Sequence, residues 1–213
     1  MHNNMITING QKMGKSLGNF ITLEQFFTGN HPTLEQAYSP MTIRFFILSA
    51  HYRGTVDFSN DALKAAQKGY ERLMDGIAGL DRVQASKGSQ PDTAKFVKEL
   101  RQRCYDAMND DLQTPLVISA LFEACHLVNL LVDHKTKISA DDLKELSDTM
   151  RLFTFDLLGL QGNRGAGSPE REKAYGKIVD MVLAMRHQRR DPRHAGTGRL
   201  HRAGHERRRD MET

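Results

Sequence analysis

Apolar residues recur every three or four positions through most of this chain, which is the spacing of one buried helix face. The clearest run follows Ser59, where Leu63, Ala66, Tyr70, Leu73, Ile77 and Leu80 form a stripe that predicts a long helix packed as a bundle seam. A polar break from Ser86 to Pro91 precedes a second helix carrying Phe96, Leu100, Cys104 and Met108. Thr114-Pro115 reads as a cap with a first-turn proline, opening a third helix whose face holds Ile118, Leu121, Phe122, Cys125, Val128 and Val132. Ser139 with Asp142 opens a fourth, through Leu143, Leu146, Met150, Phe153 and Leu157, stopping before Gly159. Four amphipathic helices on short polar links predict a mainly α fold built on an antiparallel bundle.

The region before Ser59 is more varied. Met5 to Ile8 reads as a strand with no evident partner, so its backbone groups are expected to be unpaired and to fray. Thr22 with Gln25 caps a short helix that ends at Gly29 after Phe26 and Phe27, and Ser39-Pro40 starts a largely buried helical run from Met41 to His51. Beyond the bundle, residues 160–168 are glycine-rich and read as a linker. One further helix is predicted over 169–186, on Ala174, Ile178, Met181, Val182 and Met185.

Charge separates the last segment from the rest. The 213-residue chain carries a formal net charge of +4, and the tail 187–213, with eight arginines, no lysine and four acids, accounts for all of it. That tail has too little apolar surface to offset ordering and is expected to be disordered, with arginines able to meet RNA phosphates in a salt-dependent way. No stretch reads as a signal peptide or a membrane span. Cys104 and Cys125 each fall on an apolar helical face and read as reduced core residues rather than metal ligands.

The candidate chemistry lies near the start, in Lys12-Met13-Gly14-Lys15-Ser16, followed by Leu17-Gly18-Asn19. Two lysines three apart, with a glycine between them that is free to take positive φ, can close over a polyphosphate and follow charge as it develops. A P-loop does not fit, because its first glycine would fall at Asn9. A solvated basic turn without a ligand is the bland alternative. Asp110-Asp111 beside Asn109 reads as solvated acid near a helix N-terminus rather than a metal site, and His51-Tyr52-Arg53 as an exposed polar helix end.

The loop resembles the KMSKS signature of class I aminoacyl-tRNA synthetases, with Gly14 in place of the first serine. The words from Met1 to Ile21, the stretch Arg44 to Arg53 leading to Asp57-Phe58-Ser59, and Met108 to Pro115 are similar to cysteinyl-tRNA synthetases in particular, over residues 1 to about 185. The resemblance implies a helical DALR-like domain over 59–159 after a loop segment over 1–58. It also implies activation of cysteine with ATP and magnesium, transfer to tRNA(Cys), and a cytoplasmic location. Lys15 and Lys12 would be the catalytic and ATP-phosphate contacts, with Gly14 and Ser16 in the same loop. The family's zinc ligands and HIGH signature belong to a catalytic domain expected ahead of Met1, which would then be an internal methionine. Neither HIGH nor a G-x-G-x-x-G occurs here, so the isolated chain is expected to be inactive.

Two other functions stay open: a cysteine–amino-sugar ligase of thiol biosynthesis, and a non-catalytic helical module that binds RNA or protein. Back-translating Arg186 to Arg193 and shifting one base can spell Ala-Thr-Ser-Asp-x-Ile-Arg-Asp, the family's phrase at that place. The tail is therefore expected to be a frameshifted reading.

Overall fold

The computed structural model describes residues 4–161, which fall in the unit Met1–Gly162. Most of the linker, the helix over 169–186 and the tail over 187–213 lie outside the described residues.

The predicted strand is real and is not unpaired. β1 (Ile6–Ile8) pairs antiparallel with β2 (Gln11–Lys12), and on its other side runs parallel to β3 (Val56–Phe58). The order β2-β1-β3 puts β1 in the middle, which overturns the expectation that it frays. Three residues are too short to show a period, so β3 left no signal in the sequence. The β1–β2 turn is Asn9-Gly10, both at positive φ (50° and 77°), the pairing that a tight hairpin turn favours.

α1 (Leu23–Thr28) has the full capping box, with the Thr22 hydroxyl accepting from the Gln25 amide and the Gln25 side chain accepting from the Thr22 amide. Gly29 ends it at φ 71°, in a place where a Cβ would lie 2.8 Å from the Ala37 nitrogen. α2 (Pro40–Leu48) starts at the predicted Ser39 cap but ends three residues short of His51. It is also one-sided, with Thr42, Ile43 and Phe45 buried and Ile47 47% exposed. Ile8, Ile21, Phe26, Tyr38, Ile43, Phe58 and Leu63 form a small core between sheet, α1 and α2.

The bundle comprises α3 (Asn60–Gly79), α4 (Pro91–Asn109), α5 (Thr114–Val132) and α6 (Ala140–Arg151). Every member of the predicted α3 stripe is buried. Along α4 the stripe lies on Thr93, Val97, Leu100, Cys104 and Ala107, so Phe96 and Met108 only flank it. α5 is the central helix, with nine residues buried. By length and composition alone it could cross a membrane, but exposed Glu123, His126 and Asn129 line its outer side. Thr114 does not cap it; the Thr114 hydroxyl donates to the Leu48 carbonyl at 2.7 Å and ties α5 to the end of α2. Ser139 caps α6 as predicted, accepting from the Asp142 amide.

After α6 the helix widens into a π turn over Leu152–Leu157, closed by Leu158 N–H to the Phe153 carbonyl at 2.9 Å. A π turn inserts one residue into the helical register. That insertion moves burial from the predicted Leu157, which is 45% exposed, to Leu158.

Both cysteines are fully buried, and burial pushes each thiol up to about 11 from an ordinary 9.0. A thiol whose pKa is higher in the folded state holds its proton where the unfolded chain has lost it, so stability is full below about pH 9 and declines between about 9 and 11. Each thiol contributes at most about 1.4 kcal/mol per pH unit in that window. Urea denaturation at pH 8 and pH 10.5 is expected to show the loss, and Cys104→Ala/Cys125→Ala is expected to flatten it.

Candidate lysine loop and its supports

The signature segment begins at the end of β2 and continues into a single 3₁₀ turn, Lys15–Leu17. Lys12, Lys15 and Ser16 are exposed on this one loop, and Gly14 sits between them. Gly14 does not take the positive φ expected of it; its backbone is extended (φ −161°), and the left-handed residue is Gly18 at φ 68°. The extended form follows from pairing. Gly14 N–H donates to the Asn19 side-chain oxygen at 2.9 Å, while the Asn19 amide donates back to the Lys12 carbonyl at 3.1 Å. Asn19 thus closes the loop across its base.

The Lys15 ammonium stands over the Phe20 ring, 5.5 Å from its centroid. At an exposed site such a contact stabilises by about 0.5–1 kcal/mol, far less than a phosphate contact offers, so it parks the lysine without locking it. Asp57, in the middle of β3, supports the hairpin from beneath. One of its oxygens accepts from the Thr7 hydroxyl at 2.6 Å and from Gly10 N–H at 2.8 Å. Sequence reasoning named neither role, because both depend on the β3 pairing.

A second constellation joins two segments that are far apart in sequence. Asp111 accepts from the Tyr52 hydroxyl at 2.5 Å and from Arg53 at 3.0 and 3.2 Å, while His51 Nε2 lies 3.1 Å from the Asp111 carbonyl. Asp111 is therefore not a helix-dipole acid, and His51-Tyr52-Arg53 is not merely a solvated end. Asn4 extends the link to the sheet, its side chain donating to the Arg53 carbonyl at 2.9 Å and its amide to the Tyr52 carbonyl at 3.1 Å. The clasp thereby connects the strand beneath the lysine loop to the start of α5.

Among the described residues no group of three or more His, Cys, Asp or Glu is placed to hold a metal ion. The buried thiols sit singly in apolar surroundings, so these residues do not fit a zinc or magnesium site.

Residues 1–68 match the family model of the class I (C) tRNA synthetase catalytic domain, and residues 103–161 match the DALR domain. A lysine loop on a small sheet, clasped to a helical bundle, is thus of the class I synthetase kind. The chain is 58% identical to a cysteine–tRNA ligase of Bacteroides thetaiotaomicron over 87% of its own length. It is 59% identical to those of Parabacteroides distasonis and Porphyromonas gingivalis over 88% and 87%. On these matches the chain belongs to the cysteinyl-tRNA synthetase family. It spans about 37% of the length of these relatives.

Proposed function

We propose that this chain supplies the phosphate-handling loop and the helical domain of a cysteine–tRNA ligase, which activates cysteine with ATP and passes it to tRNA(Cys). The observation that carries the reading is the pair of exposed lysines on a loop whose base is held by Asn19 and Asp57. Attack of the cysteine carboxylate on the α-phosphorus breaks the bond to pyrophosphate, and negative charge grows on the leaving group. Lys15, over Phe20 in the resting loop, swings to that charge as a point cation; Lys12 meets the phosphates from the other side of Gly14. Gly14 and Ser16 line the same approach. Magnesium would accompany ATP and zinc would serve in cysteine recognition, both held outside residues 4–161. We divide the chain at about residue 58, the loop segment lying before it and the helical domain over 59–159.

A loop alone offers no adenosine or cysteine pocket, and binding energy from those parts of the substrates is what orders the reacting groups. The purified 213-residue chain is therefore expected to give no cysteine-dependent exchange of pyrophosphate into ATP. Exchange above a no-enzyme blank would refute this. Full-length activity with an amino sugar in place of tRNA would favour the thiol-biosynthesis ligase instead.

A further inference from the structure

A groove of about 270 Å³ opens between the sheet, the end of α2 and the start of α5. Its apolar wall comprises Ile6, Ile47, Leu48, Val56, Phe58 and Leu112. Three of these face water in this chain, Ile6 at 44%, Ile47 at 47% and Leu112 at 40% exposure. Single exposed apolar residues are ordinary, but a concave cluster of them marks a surface that something covers.

Leu112 reaches the groove through an unusual backbone. It has φ 55°, directly after Asp111 at φ 57°. Aspartate tolerates that region, whereas leucine does so only under strain of about 1–2 kcal/mol. The clasp of Tyr52 and Arg53 on Asp111 holds the strained turn, yet the strain seats Leu112 at the lip of an open groove rather than in either core. The turn also closes the end of α4, where Leu112 N–H donates to the Met108 carbonyl at 3.2 Å and Gln113 N–H to the Ala107 carbonyl at 2.9 Å, so the left-handed backbone has a local cause and what bears on the groove is where it leaves the Leu112 side chain. All the lining residues except Leu112 and Thr114 fall within residues 1–68.

We infer that this groove is the seat of an apolar polypeptide face from the part of the catalytic domain that lies outside this chain. The occupant is chosen by length. The matched model is that of a catalytic domain, only 68 residues of this chain fall in it, and the relatives extend well beyond the 37% that aligns. This rests on the proposed function only in taking that remainder to be synthetase sequence.

The test compares one substitution in two settings. One is the 213-residue chain; the other is the Bacteroides thetaiotaomicron relative with its 186 aligned residues replaced by those of this chain. In the isolated chain, Leu112→Asn relieves strain and loses partial contacts, two effects of similar size, so its Tm is expected to move by less than about 2 °C. In the chimera the same change loses a covered contact, and the Tm is expected to fall by about 4 °C or more. Ile47→Lys should repeat the contrast, since lysine suits a helix and harms only a covered site. Equal shifts in the two settings would overturn the inference, as would a parent chimera that melts with the isolated chain. Lys15→Ala in the chimera separates the two proposals. If it leaves exchange intact while the Leu112 contrast holds, the loop reading fails and the docking stands; the reverse pattern does the opposite.

Discussion

Lys15→Ala in that chimera is expected to reduce cysteine-dependent pyrophosphate exchange by about 10²- to 10³-fold, the usual loss when one preorganised donor to a developing anion is removed. The effect should fall mainly on the rate at saturating ATP. The Phe20 contact is weak enough to yield, and the ammonium gains most from the charge that grows on pyrophosphate as the bond breaks, which the ground state does not yet carry. Lys15→Arg should recover only part of the rate, because a planar guanidinium cannot follow a moving charge as an ammonium does. Lys12→Ala should cost less, being at the end of a strand and less free to move. Pyrophosphate exchange with KM for ATP measured alongside decides it. A loss under threefold in kcat, or a loss confined to KM, would remove Lys15 from the chemistry.

Much of this molecule is legible from residue order alone, for a local reason. Caps and stripes are fixed within four residues of themselves, so Thr22, Ser39, Ser59 and Ser139 announce their helices, and the α3 stripe is buried as its period requires. What remained hidden is long-range or off-period. β3 is visible only through β1, fifty residues away at the Ile8–Phe58 pairing of register. Gly14 is extended because Asn19 captures its amide, a bond that no glycine rule anticipates. The π turn shifts burial from Leu157 to Leu158 by a single inserted residue.

The site was legible in the same divided way. Lys12 and Lys15 are named by their spacing, but the residues that hold them are not: Asp57 reaches the hairpin across fifty residues, from Thr7, and Asp111 reaches Tyr52 across fifty-nine. Exposed ion pairs are worth only about 0.2–1 kcal/mol each. The Asp111 clasp therefore acts by direction more than by strength. Several weak bonds converge on one strained turn, and together they set where α5 begins relative to the sheet beneath the loop.

Gly76 shows the bundle holding position by shape, and it carries the second large expectation. A Cβ at this α3 position would stand 2.3 Å from the Cys125 sulfur and 2.8 Å from the Cys125 Cβ on α5. Gly76→Ala gains about 1 kcal/mol of helix propensity. It also forces apart two helices packed near the density of a crystal, and with the clash against a β-carbon as well as a sulfur the cost lies at the top of the usual 1–3 kcal/mol range. The net expectation is a loss of about 2 kcal/mol, read as a Tm lower by roughly 4–8 °C. The partner is testable within the same pair. Cys125→Ala removes the sulfur, and Gly76→Ala/Cys125→Ala should be more stable than the sum of the single changes predicts, by about 1 kcal/mol in a double-mutant cycle. The Cys125 thiol, protonated and covered in the parent, should also react faster with a thiol reagent at pH 8 in Gly76→Ala, because the helices stand further apart. Additive energies with unchanged thiol reactivity would mean that α3 and α5 do not meet at Gly76.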